Sequence, residues 1–169
     1  MYYVARDART SNNACVYYKI TNKKENHRGF QYSEGLNILI DDFNNDPNQS
    51  CCKGGLYFTD AANIFEFLNY GIYLREITLP TSDENFCMVK DNNKWRANMI
   101  DLGTKRYELF NVNTFNFLIE KGADIHADDN YALRFSAKNG ARLINATMLH
   151  LLTAAAKKLK TFSSSFGSR

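Results

Sequence analysis

Phe117-Leu118-Ile119-Glu120-Lys121-Gly122-Ala123-Asp124-Ile125-His126-Ala127-Asp128-Asp129-Asn130 changes character halfway along. With Phe115 before it, Leu118 and Ile119 place apolar side chains on one face of a short helix. Lys121-Gly122 ends that helix, because glycine accepts the left-handed backbone of a C-cap. The polar run from Asp124 to Asn130 predicts a turn, and Tyr131 to Asn139 a second short helix with Gly140 after it. Further on, Ile144, Met148, Leu151, Ala155 and Leu159 form a continuous stripe that predicts a terminal amphipathic helix over 141–160. The Ser/Gly tail 161–169 is expected to be disordered.

Upstream of Asn113 the apolar period shortens from helical to strand-like. Cys15-Val16-Tyr17-Tyr18-Lys19-Ile20-Thr21 is β-branched and aromatic, the composition of a strand. Asn22 to Gly29 reads as a loop, Phe30 to Leu39 as one or two short strands around Gly35, and Asp41 to Lys53 as a long polar loop. Gly55 to Thr59 reads as a short strand, after which Thr59 or Asp60 caps a helix carrying Ala61, Ile64, Phe65, Phe67 and Leu68. A glycine C-cap at Gly71 is expected to close it. Ile72 to Leu79 predicts a strand ended by Pro80, and Phe86 to Lys90 another, with a turn at Asp91-Asn92-Asn93. Trp95 to Leu109 holds one or two short segments around Gly103. The expected fold class is α+β: a loosely ordered extension over 1–15, a small mixed strand/helix domain over 16–110, a short helical unit over 111–140, and the C-terminal helix.

Composition narrows the function classes. The 169 residues are 44% hydrophobic and 23% charged, near the globular average, which argues against wholesale disorder. No apolar run approaches 18 residues, so no membrane-spanning helix is expected. Met1 to Asp7 lacks the basic and apolar regions of a signal peptide. From Ala141 onward there are five basic residues and no acid. That is one short cluster and not a basic stripe interleaved with aromatics, so no nucleic-acid partner is expected. Cys15, Cys51, Cys52 and Cys87 read as reduced thiols. Adjacent Cys51 and Cys52 cannot both reach one tetrahedral ion, and no metal site is expected. Asp42-x-Asn44-x-Asp46 has calcium-loop spacing, but Pro47 stands where that loop needs glycine and Lys53 where it needs a bidentate glutamate, leaving a solvated loop.

The run quoted first resembles the second helix and hairpin of an ankyrin repeat, and Leu133, Ser136-Ala137 and Gly140 resemble the first helix of the next. The usual Thr-Pro-Leu-His of that helix is here Tyr131-Ala132-Leu133-Arg134, so the Thr/His pairing at the helix start is absent. Lys19-Ile20-Thr21-Asn22-Lys23, Gly29-Phe30-Gln31-Tyr32, Gly54 to Thr59, Tyr70 to Glu76 and Lys94-Trp95-Arg96-Ala97 extend the likeness over roughly residues 17–140. With these segments the chain resembles the ankyrin-repeat proteins of mimivirus-like giant DNA viruses of amoebae. The resemblance implies a non-enzymatic protein with no cofactor, binding protein partners, host proteins among them, in the cytoplasm of the infected cell. Partner contacts are implied at the projecting hairpin: His126, Asp128, Asp129, Asn130 and Tyr131. After Gly140 no further repeat follows, so the array is expected to be truncated and the protein a decayed member of its family, with a frameshift or early stop as the expected cause.

A second reading is kept beside this one. His27-Arg28-Gly29, Gly55-Leu56-Tyr57-Phe58-Thr59 and Leu74-Arg75-Glu76-Ile77 are similar, in order and character, to ADP-ribosyltransferase-type folds. That likeness implies a nucleotide-binding module, catalytically degenerate, in which His27 holds the ribose of NAD and Tyr57 stacks on nicotinamide. The glutamate such enzymes need has only Glu108 as a candidate.

Overall fold

The computed structural model describes residues 16–138; the expected extension 1–15, terminal helix 141–160 and tail 161–169 lie outside the described residues. Strand β1 (Tyr17–Thr21) shows why the fold is layered: alternation sends Tyr18 and Ile20 to one face and Tyr17, Lys19 and Thr21 to the other, yet four of the five are buried. Both faces of this strand are therefore covered. It pairs antiparallel with β6 (Tyr73–Thr78), setting Ile20 opposite Leu74 and Lys19 opposite Arg75. β6 in turn pairs with β9 (Met99–Glu108), and β9 with the edge strand β4 (Gly35–Ile38), giving the order β1-β6-β9-β4. A register shift against β9 falls between Arg75 and Ile77.

On one face the apolar side chains of Ile77, Ile100 and Leu102 join Leu56, Phe58 and Ala97 from a second, three-stranded sheet. That sheet is β5 (Leu56–Phe58), β8 (Lys94–Ala97) and β7 (Met88–Asp91), in that order. Trp95 of β8 packs edge-on to Tyr17 at 5.4 Å, locking the two sheets together. On the other face Tyr18, Ile20 and Leu74 form a core with Ile64, Phe65 and Leu68 of a 3-10 helix (Ile64–Tyr70). The same core continues into Phe115 and Leu118 of α1 (Val112–Glu120), Ala123, and Ala132 of α2 (Ala127–Lys138). Phe65 and Phe115 stack with ring centroids 5.0 Å apart. The helices are thus anchored directly to the sheet.

Local chemistry explains most element ends. Asn111 caps α1 by accepting the Asn113 N–H at 2.9 Å. At its far end Gly122 has φ +97, Ala123 N–H reaches the Leu118 carbonyl at 2.9 Å, and Gly122 N–H reaches that of Ile119 at 3.0 Å. Those are the paired bonds of a Schellman cap, as glycine at this position predicts.

Three expectations are corrected. The helix after Asp60 is a 3-10 helix, since Ile64 with Phe67 and Phe65 with Leu68 serve three residues per turn as well as 3.6. Gly71 is no left-handed cap: its backbone is extended (φ 172), and a Cβ there would lie 2.1 Å from the Thr21 carbonyl oxygen, so close approach demands the glycine. The Asn22–Gly29 loop contains β2 (Asn26–His27), which pairs with β3 (Phe30–Gln31) in a small hairpin. Residues 124–130 hold no paired strand and form a turn, as expected, whose Asp124 N–H reaches the carbonyl of Ala62, just before the 3-10 helix, at 3.4 Å. Among the described residues the architecture is a mixed α+β body followed by helices, without visible ankyrin curvature.

Candidate functional site

Lys19 enters from the centre of β1, where strand alternation aims it away from the helical core. Its side chain is only 4% exposed. The Nζ donates to the Tyr57 carbonyl at 2.7 Å and sits 4.4 Å from the Tyr32 ring centroid. Burial lowers its pKa from 10.5 to about 7. His27, on β2, meets the Tyr70 ring edge-on at 5.3 Å. Burial first, then the charges of Lys19 and Arg28, push its pKa down to about 4, so the imidazole is neutral at pH 7. The Tyr57 hydroxyl donates to the Cys52 carbonyl at 3.0 Å, and burial with that neighbour raises its pKa to about 12. These groups line a cavity of about 580 Å³ between β1, the β2–β3 hairpin and the segment before β5.

Two buried arginines hold the cavity walls. Glu25, at φ +50 and 7% exposed, accepts from Arg75 at 2.5 Å, from Arg106 and from Thr21 Oγ1 (3.3 Å each), pinning the hairpin to the sheet. Arg96, fully buried, donates to the carbonyls of Asn44 (2.8 Å), Gln49 (2.6 Å) and Asp46 (2.5 Å). It thereby stitches the Asp41–Lys53 loop from within. Asp91 completes that clamp 3.4 Å from Arg96. Burial opposes its ionisation, but the Ser50 hydroxyl, the Cys51 N–H and Lys94 outweigh this and hold its carboxyl below the usual range.

The second candidate is the turn before the helical part of α2. Asp128, Asp129 and Asn130 take φ of 50, 52 and 59, three consecutive left-handed residues without a glycine. Arg134 binds the turn from one helical turn away: it donates to the carbonyls of Asp128 (3.1 Å) and Asp129, and to the Asp129 carboxylate at 2.6 Å. His126 Nδ1 lies 2.7 Å from Asn130 Oδ1. His126, Asp128 and Asp129 are exposed, Asn130 and Tyr131 half-buried, and Tyr131 packs on Phe135 at 5.7 Å.

Curated relatives decide the family. An ankyrin repeat protein of Acanthamoeba polyphaga mimivirus is 40% identical over 158 residues, covering 90% of this chain and 77% of that protein. The chain belongs to this mimivirus ankyrin-repeat family. An uncharacterized protein of the same virus is 47% identical over 126 residues, 74% of this chain and 91% of the relative. A longer mimivirus ankyrin repeat protein is 41% identical over 138 residues, which make up only 44% of its length. No family model and no solved structure matches the chain.

For a mimivirus ankyrin-repeat chain, Arg134 is the informative departure. It occupies the position of the usual histidine, and its guanidinium holds the Asp128 and Asp129 carbonyls and the Asp129 carboxylate. The residues of the two sequence readings separate cleanly: His126, Asp128, Asp129, Asn130 and Tyr131 gather at the turn, while His27 and Tyr57 line the cavity. Glu108 lies at the end of β9 opposite Tyr73, and among the described residues no glutamate lines the cavity. Among the described residues no group of three or more His, Cys, Asp or Glu could hold a metal, Cys51, Cys52 and Cys87 are free, and no helix is long and apolar enough to cross a membrane. Lys19, Glu25, Arg75 and Arg96 escaped the sequence reading as organisers, because a charged residue inside an apolar strand shows as a break in alternation and not as a partner.

Proposed function

We propose that this chain is a non-enzymatic binding module that engages a protein partner, a host protein of the infected cell's cytoplasm, through the turn His126–Tyr131. One observation carries the reading: three left-handed residues in a row, two with exposed carboxylates, are held in a costly geometry by a dedicated arginine. Strained, exposed and over-determined backbone is what a preformed recognition edge requires. The α1 cap and the core shared by Phe115, Leu118 and Ala132 give that edge a rigid base, which recognition on a loop otherwise lacks. Residues 111–140 are on this reading one ankyrin-type unit, seated on the 16–110 portion in place of a preceding repeat.

The acidic character of Asp124, Asp128 and Asp129 selects a partner surface rich in Lys or Arg. The test is affinity capture from amoebal lysate with the wild-type chain and with Asp128→Ala/Asn130→Ala, followed by calorimetry on the purified partner. The double variant is expected to bind at least about tenfold more weakly, or about 1.4 kcal/mol. Equal affinity, with unchanged circular dichroism, contradicts the assignment.

A further inference from the structure

The cavity beneath the β2–β3 hairpin carries an unbalanced charge. Lys19, Arg28, Lys53 and Lys94 lie in its wall, and among the described residues Asp41 is the one acid there. Lys19 is the deepest of these cations. Its ammonium has three N–H donors, of which the Tyr57 carbonyl takes one, and among the described residues no carboxylate lies within ion-pair distance of it. A buried ammonium without a counter-charge is unfavourable unless something else supplies the anion. The rest of the lining is aromatic and aliphatic. Phe30 and Tyr32 pack at 4.8 Å on one side, and Ile38 and Ile40 stand 53% and 91% exposed at the mouth.

We infer that this cavity binds a small aromatic anion, its carboxylate or phosphate received by Lys19 and Arg28 and its ring by the Tyr32 and Tyr57 walls. About 580 Å³ falls in the size range of small-molecule sites. The excess of cations excludes a metal ion. The ammonium titrates near neutrality when free, so an arriving anion draws a proton onto it and binding weakens as the pH rises. His27, neutral in this range, adds a polar edge without competing charge. The proton moves from solvent to Lys19 Nζ, forming its third N–H bond, and no other covalent bond changes. Occupancy of this site is independent of partner binding at the turn, and each can fail without the other.

Calorimetric titration of the full chain at pH 6.5 tests the inference with adenosine 5′-monophosphate and indole-3-acetate, their neutral twins adenosine and indole, and inorganic phosphate. At least one aromatic anion is expected to saturate a single site, with its neutral twin and inorganic phosphate at least about tenfold weaker. Which of the two anions binds tells phosphate from carboxylate. Lys19→Met is expected to lose at least about tenfold in affinity, and the wild type to bind several-fold more weakly at pH 8.5. Arg28→Ala alters an exposed rim residue that donates to the Cys51 and Cys52 carbonyls, its fold is checked by circular dichroism, and it serves even if Lys19→Met does not fold, with several-fold weakening expected from it. Failure of both anions to saturate, a neutral twin or bare phosphate binding as tightly, or a folded Lys19→Met or Arg28→Ala protein binding like wild type overturns the inference.

Discussion

Leu118→Ala probes the junction between helices and sheet. Leu118 is fully buried in the cluster that contains Tyr18, Ile20, Phe65 and Leu74, so its packing partners come from β1, the 3-10 helix and β6. Truncating a leucine in such a site costs about 2–5 kcal/mol, the transfer of the lost methyls plus the cavity they leave. With a urea slope of roughly 2 kcal/mol/M, the unfolding midpoint should fall by about 1–2.5 M. The assay uses Trp95, the sole tryptophan, which lies in the other cluster, against Tyr17 and Phe58. Its fluorescence reports loss of the sheet-on-sheet layer, far from the substitution. If helices and sheets unfold together, the Trp95 transition moves by the full amount and coincides with loss of helical circular dichroism. A Trp95 midpoint unchanged from wild type, with the helical signal lost earlier, refutes the shared core.

Three further outcomes are expected. Glu25→Ala leaves Arg75 buried with the Gly103 carbonyl as its remaining partner, a loss of about 3–5 kcal/mol measurable by urea unfolding; a change under 1 kcal/mol contradicts the role given to this pair. For Lys19 the native pKa of about 7 lies below its unfolded value of 10.5, so the unfolded chain takes up a proton first and stability falls as pH drops from 10.5 to 7. That fall is on the order of 5 kcal/mol. Lys19→Met should therefore raise stability at pH 7 even after losing the bond to Tyr57, an advantage that disappears near pH 10.5; thermal unfolding at both pH values checks it. Asp128→Gly removes the left-handed penalty while keeping the carbonyl that Arg134 holds, and should stabilise by about 1 kcal/mol, a rise of about 2–4 °C in Tm by scanning calorimetry. A lower Tm contradicts the strain assigned to the turn.

The strands around Tyr18, Leu56 and Leu74 were legible in the sequence from their β-branched and aromatic composition between turn residues, and the helix around Leu118 from its helical apolar period. Gly122 was legible because a Schellman cap has a local residue signature. Gly71 was misread for the opposite reason: its requirement comes from Thr21, fifty residues away, and nothing near it in sequence records that contact. The clamp by Arg96 on the Asp41–Lys53 loop was hidden likewise, since its acceptors are backbone carbonyls that every residue carries. At the turn, the replacement of histidine by Arg134 was visible, but its hold on the three left-handed residues needed the structure. The cavity was half legible: His27 and Tyr57 were picked out as a pair, whereas the position of Lys19 between them depends on register.

The most direct test of partner binding at the turn is site-specific photocrosslinking in amoebal lysate. Asp128, whose side chain is exposed, is replaced by p-benzoylphenylalanine, and Glu84, exposed on the loop before β7, by the same residue as a control. A discrete crosslinked protein from the Asp128 position, absent from the Glu84 position and competed away by unlabelled wild-type chain, is the predicted result. No crosslink at Asp128, or the same bands from both positions, contradicts it.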